Sequence, residues 1–425
     1  MRKYLPSLIV LLLLTSVAVG TVMANTKVAS SDFQSPDNCQ MCHDQLFDQW
    51  NGSMHALAWE DPVFQTLLAK GSVATDGLID DFCTKCHVPI GVLSGENLPI
   101  DGSNYSAVSQ EAIQCDFCHT VTDSTAQGNS SYTFGPSNVK KGPFADARPF
   151  SHKATYSAIH TQAEFCGACH DVFHPVNGLP LELTYTEWKN SPYAAEGIVC
   201  QDCHMTPGPG VTKPNPGQAA SMGPDREHIW THQFVGANFA VTEALDFTDH
   251  AQAARERLQS AAQLQVTADN WRAGQENKLV VSVENIGAGH YLPTGLTEAR
   301  QLWLEVTLRT PTGQVVYQSG HLDDQLAIDQ AAVVYNTVIA DAQGNPTPYV
   351  WEAASIIRDY RIPPRGTRTE TYPVSVPAGV NKLMAEVRLR YRSAPQSLID
   401  ELLGAESFAL PIFDLQTVNM EIMVK

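Results

Sequence analysis

The chain has 425 residues, a formal net charge of -18 and a pI near 5.1. That length suits two or three domains of about 150 residues each, and the acidic balance excludes the basic footprint that nucleic-acid binding requires. Ten cysteines are an even count, which raises a disulfide framework or a metal cluster, but their spacing leads elsewhere.

Residues 1–24 open on Arg2 and Lys3, continue in an apolar run over 5–23 and end Val22-Met23-Ala24, the pattern of a secretory signal peptide. An uncleaved membrane anchor is the alternative, because the run approaches the about 20 residues that span a bilayer. From 25 to 240 the sequence is polar, interrupted by Gly and Pro and weakly periodic. Such texture suits a core built around flat apolar groups. Short helices are expected over 39–50, 61–69 and 166–173, with loops over 94–106, 122–149 and 207–224.

Within this stretch C-x-x-C-H occurs five times: Cys39, Cys42 and His43; Cys83, Cys86 and His87; Cys115, Cys118 and His119; Cys166, Cys169 and His170; Cys200, Cys203 and His204. Two thiols three positions apart can add to both vinyl groups of a haem, and the following histidine can ligate its iron. One copy would also suit a redox dithiol or half a zinc site. Five copies that consume every cysteine point to five covalently attached c-type haems. The first cysteines are 44, 32, 51 and 34 residues apart, so the haems must be neighbours. The short intervals, 83–115 and 166–200, mark the expected closest pairs.

The second axial ligand separates a wire from a catalyst: a histidine or methionine saturates the iron, and an open position admits a small molecule. His55, soon after the first motif, is the leading candidate. His152 is preferred to His160 ahead of the fourth motif. His228 and His232 stand four apart and would share a helix face, serving two haems or leaving one imidazole for a propionate. His290 lies in a glycine- and proline-bounded loop, Gly289-His290-Tyr291-Leu292-Pro293, which could cover a haem or simply bond to backbone. His174, His250 and His321 stay unassigned, and no catalytic residue stands out.

Residues 241–264 are alanine-rich and helix-prone, a link between halves. Beyond them, alternation over 264–268, 278–284, 302–309 and 383–391 predicts an immunoglobulin-like antiparallel β-sandwich over 265–425, without a haem of its own. The fold class expected is therefore mixed: a mainly α and irregular pentahaem domain followed by a β-domain.

The five motifs, the Trp50 to His55 segment, Phe165-Cys166-Gly167-Ala168-Cys169-His170 and His232-Gln233-Phe234-Val235-Gly236 resemble the multihaem c-type cytochromes. The family in question includes the tetrahaem electron acceptor of hydroxylamine oxidoreductase, and the likeness covers about residues 35–235. The 289–295 loop looks like one in larger multihaem cytochromes with a C-terminal β-domain, which implies that His290 ligates a haem. No C-x-x-C-K occurs, unlike the resembling nitrite reductases, and the motifs are fewer than in octahaem oxidoreductases.

The resulting expectation is an exported electron carrier of the respiratory chain, in the periplasm or at the cell surface. Its partners would be redox proteins or a quinol-oxidising membrane complex. An oxidoreductase acting on a small nitrogen or sulfur compound at one open haem is the first alternative. A self-assembling extracellular wire is the second.

Overall fold

The computed structural model describes residues 28–405 and 408–425, so residues 1–24, the expected signal peptide, lie outside the described residues. Up to residue 235 the chain is a succession of short helices with legible starts. Asp61 accepts from the backbone N–H groups of Val63 and Phe64, with Pro62 at the first helical position, and so opens the helix Pro62–Ala74. Ser35 and Pro36 open Pro36–Gln40 in the same way.

Each attachment motif is one helical turn. The histidine N–H bonds back to the first cysteine carbonyl at 2.9 Å for His43, His119 and His204 and at 3.0 Å for His170. Cys83 to His87 lie inside the helix Asp80–His87. That turn gathers both thiols and the imidazole around one stretch of backbone.

Several expected elements differ. The helix expected over 39–50 is two, Pro36–Gln40 and Asp44–Trp50, flanking the first motif. The helix expected over 166–173 stops early, as Ala163–Gly167, and Val172–Phe173 pairs with Pro180–Glu182 instead. Asp171 accepts from Thr186 N–H at 3.0 Å there, a local bond that competes with continued helix. The expected loop 122–149 contains the pair Val121–Ser124 with Tyr132–Phe134, and Val139–Gly142 runs parallel to Lys153–Tyr156.

The helix Thr248–Ala261 passes without a loop into the strand Ala262–Thr267. From here the chain is β-rich. Ala262–Thr267, Glu276–Asn285 and Thr367–Ser375 form one antiparallel sheet with Glu276–Asn285 central. Val315–Ser319, Gln301–Arg309, Lys382–Arg392 and Phe413–Met423 form another, to which Val334–Tyr335 adds beside Gln301–Arg309. Leu279, Val281 and Val283 from the first sheet share one buried cluster with Leu304, Val306, Val387 and Leu389 from the second. Ala251, Ala254 and Leu258 bring the Thr248–Ala261 helix into the same cluster.

The two regions are joined by polar contacts centred on Glu187. It accepts from Tyr291 N–H at 3.0 Å, Thr294 Oγ1 at 3.1 Å and Arg361 Nη1 at 2.6 Å, and so holds the 289–295 loop against the helical region. Among the described residues no helix is long and apolar enough to cross a membrane.

Candidate haem sites

A cavity of about 1260 Å³ runs through the helical region and under the β-rich one. All five motif histidines line it, together with His55, His152, His160, His232, His290 and every motif cysteine except Cys83. None of the ten cysteines is joined in a disulfide.

Four motif histidines face a second imidazole. The ring centroids of His43 and His152 are 6.4 Å apart, those of His55 and His170 also 6.4 Å, those of His119 and His232 6.3 Å, and those of His204 and His290 6.2 Å. A metal bonded to two imidazole nitrogens at about 2 Å each spaces the ring centres by roughly 6 Å, so each pair has the span of two axial ligands. Among the described residues, no group of three or more His, Cys, Asp or Glu is placed to hold a bare metal ion.

Hydrogen bonds fix the tautomers. A carbonyl only accepts, so Nδ1 must carry the proton where His43 meets Ala219 O at 2.6 Å, His119 meets Lys141 O at 2.5 Å and His204 meets Val235 O at 2.6 Å. The same holds for His87 with Ala58 O at 3.2 Å, His152 with Lys153 O at 3.1 Å, His232 with Trp230 O at 3.0 Å and His290 with Tyr291 O at 2.8 Å. Each imidazole therefore keeps its Nε2 lone pair for a metal, and the Nδ1 bond sets the ring's orientation. His170 differs in donating to a carboxylate, Glu182 Oε1, at 3.3 Å. Burial pulls His55 down to about 3 and His204 and His232 down to about 4, so all three are neutral at physiological pH. Against the effect of burial, Glu182 lifts His170 to about 9.

His87 stands apart. Its ring lies flat on Phe64, 3.8 Å between centroids and 5° between planes, and no imidazole at the pair spacing is described for it. His228 is not brought to a motif histidine: it meets Trp230 edge-on, and its Nδ1 lone pair accepts from Asn215 N–H at 3.1 Å. His160 stacks 5.4 Å from His119 and donates Nε2–H to Cys118 O at 3.1 Å. His174 has both ring nitrogens engaged, with Trp351 O on Nε2 and the N–H groups of Val176 and Asn177 on Nδ1.

The pairing order differs from the chain order. His55 faces the fourth motif rather than the first, and His152 faces the first rather than the fourth. Thiols also meet across motifs, Cys39 with Cys115, Cys86 with Cys169 and Cys166 with Cys200. The expected 166–200 pair are thus neighbours, while Cys86 of the second motif lies beside Cys169 of the fourth.

These residues fit haem. Thiol pairs one turn apart, imidazoles with free Nε2 and an apolar cavity supply attachment, ligation and burial. Arg257, lining the cavity, has Nε and Nη1 buried without a partner, as a residue that receives a propionate would. Sequence reasoning passed over Arg257; its place in an alanine-rich helix gave no signal.

Residues 38–120, which include the first three motifs, match the family model described as cytochrome c554 and c-prime. No curated protein matches the chain. The crystal structure of a penta-heme cytochrome c552 from Thermochromatium tepidum aligns with a TM-score of 0.61 at 20% identity, covering 93% of this chain and 99% of that one. The structural-genomics target SoR45 aligns over 39% of this chain and 87% of its own at 9% identity with a TM-score of 0.18. The C-terminal domain of wzt covers 39% of this chain and 74% of its own at 7% identity with a TM-score of 0.17. Residues 38–120 thus resemble the cytochrome c554 and c-prime family, and the chain shares its fold with that penta-heme cytochrome, its helical region with the five C-x-x-C-H motifs being followed by a β-rich one.

Proposed function

We propose that the chain is an exported pentahaem electron carrier, with five covalent c-type haems in a domain over 25–240. The β-rich region, 265–425 beyond the linking segment 241–264, is read as an immunoglobulin-like sandwich that covers them. The single observation that carries the reading is the set of four imidazole pairs at 6.2–6.4 Å, which take in four of the five motif histidines. In this reading His152, His232, His55 and His290 complete the irons of His43, His119, His170 and His204. His228 is left outside the ligand set.

The thiol contacts support a connected path, because each thiol marks an edge of its porphyrin. They group the first motif with the third and the second with the fourth and fifth, and Cys118 of the third motif lies within electrostatic reach of Cys169 of the fourth, which links the two groups. Electrons would move between periplasmic or cell-surface redox proteins, or from a quinol-oxidising membrane complex. Intact mass and a potentiometric titration test this: the reading expects five haems, all reversibly reduced. Fewer than five attached haems, or an iron that stays oxidised while the rest reduce, would refute it.

A second reading is favoured by His87, which has Phe64 beside it and no second imidazole. Its haem would be open to a small ligand, as in an oxidoreductase acting on a small nitrogen or sulfur compound. Self-assembly into a wire, with a neighbour's histidine completing this site, would instead make the high-spin fraction fall as protein concentration rises.

A further inference from the structure

We infer that Arg257 makes the fifth haem, held by His204 and His290, the electron sink among the paired haems, beside a fourth haem of lower potential. The inference rests on the reading of these motifs as haem sites with two imidazole ligands. The helix Thr248–Ala261 is seated on the β-rich core by Ala251, Ala254 and Leu258. Its last turn meets the start of the His290 loop, where the N–H groups of Ile286 and Gly287 donate to Ala261 O at 3.0 and 3.1 Å. Arg257, one turn earlier, lines the cavity and donates Nη2 to Thr206 Oγ1 at 3.4 Å, two residues beyond His204. The guanidinium is therefore placed at the fifth motif, within electrostatic reach of both Cys203 and His204.

Every haem brings the same two propionates, so the charges of the chain itself set the sites apart. At the fifth motif Asp202 is paired with Lys213, while Arg257 keeps Nε and Nη1 buried without a partner. Among the described residues, the one ionisable group that pulls on Arg257 is Cys203, and a thioether carries no charge. Burial draws Arg257 down from the usual arginine range, yet that range is so high that the guanidinium stays charged at neutral pH. The fourth site has the opposite sign, because His170 donates to Glu182 Oε1 at 3.3 Å. Glu182 also reaches His290, but less strongly than Arg361 does. Near the first and third motifs Lys140 and Asp116 pair and cancel. A cation favours ferrous over ferric iron and a carboxylate does the reverse. Cys166 and Cys200 set the fourth and fifth sites side by side, so an electron that reaches the fourth haem passes downhill to the fifth.

Potentiometric titration of the holoprotein at pH 8, followed by electron paramagnetic resonance, tests this. Propionates are ionised there, so loss of the guanidinium lowers the potential whether or not a propionate lies against it. His290→Met marks the fifth haem, because a thioether ligand moves its spectrum away from the others. In the wild type that haem is expected to be reduced first among the four paired haems. Arg257→Gln is expected to shift its reduction equilibrium about tenfold towards ferric iron, which is about 59 mV for one electron, and to leave the other potentials in place. Arg257→Lys keeps the charge and should recover most of that shift. No shift in Arg257→Gln, an equal shift in Arg257→Lys, or a shift spread over all the haems overturns the role of Arg257. A wild-type fifth haem reduced after the other paired haems overturns the sink. A His290→Met spectrum identical to that of the wild type overturns instead the reading of His290 as a ligand.

Discussion

Residues 262–425 and residues 28–235 are held by different kinds of core. The β-rich region buries Leu279, Val281, Val283, Leu304, Val306, Val387 and Leu389 at 0% exposure in one cluster. The helical region's own apolar cluster is small, with Phe33, Ile90 and Phe117 as its buried members, and most of its helices end against the cavity. Aliphatic side chains at about 1.5–3 kcal/mol each can hold the first kind of core. The second kind needs the group that fills it, since short helices are marginal alone. One region carries its stability in its sequence, and on the proposed reading the other receives much of it from its haems.

The sharpest way to test that contrast is to withhold haem. With the cysteines of all five motifs replaced by alanine, hydrogen exchange is expected to lose protection throughout 28–235, while the strands of 276–285 and 382–392 stay protected. Uniform retention or uniform loss would erase the contrast. Next in size, Leu389→Ala should cost about 2–5 kcal/mol through the cavity it leaves. Chemical denaturation would show it as earlier loss of the β-rich region, with the native haem spectrum unchanged before the transition.

The contrast also explains what could be read from the sequence. Alternation over 278–284 and 383–391 lies within the strands Glu276–Asn285 and Lys382–Arg392, where packing against a shared core imposes a period of two, whereas 302–309 lies within Gln301–Arg309, whose residues Leu302 to Leu308 are all buried. The motifs were equally plain, since attachment chemistry fixes their spacing. The imidazole pairs were not, because each partner arrives from a distant segment: His152 crosses to His43, and His55 to His170. His228 and His232 were paired by helical spacing, yet residues 227–238 are neither helix nor strand, so the four-residue period has no meaning there. The glycines before His290 were read as room for a bulky object. At Gly287 the close approach is to the end of the helix Thr248–Ala261, where a Cβ would stand 2.4 Å from Ser260 O.

Smaller effects probe the seam between the regions. Glu187 anchors the His290 loop and pairs with Arg361, which also holds Asp359. Glu187→Ala is expected to cost about 1–3 kcal/mol and to release His290, seen as a new high-spin fraction in the electron paramagnetic resonance spectrum. A stability loss with no spectral change would detach the loop from the haem account. Smallest is Glu182→Gln, which removes the only carboxylate found on a paired motif imidazole among the described residues. A weaker acceptor for that imidazole's Nδ1–H should raise one reduction potential by roughly tens of millivolts and leave the others in place, as potentiometry resolves.

The most direct test of the central claim is low-temperature electron paramagnetic resonance of the oxidised, fully loaded protein with iron quantified. Four low-spin irons and one high-spin iron are predicted, matching four imidazole pairs and the unpaired His87. Five low-spin irons in the monomer, or two or more high-spin irons, would contradict it.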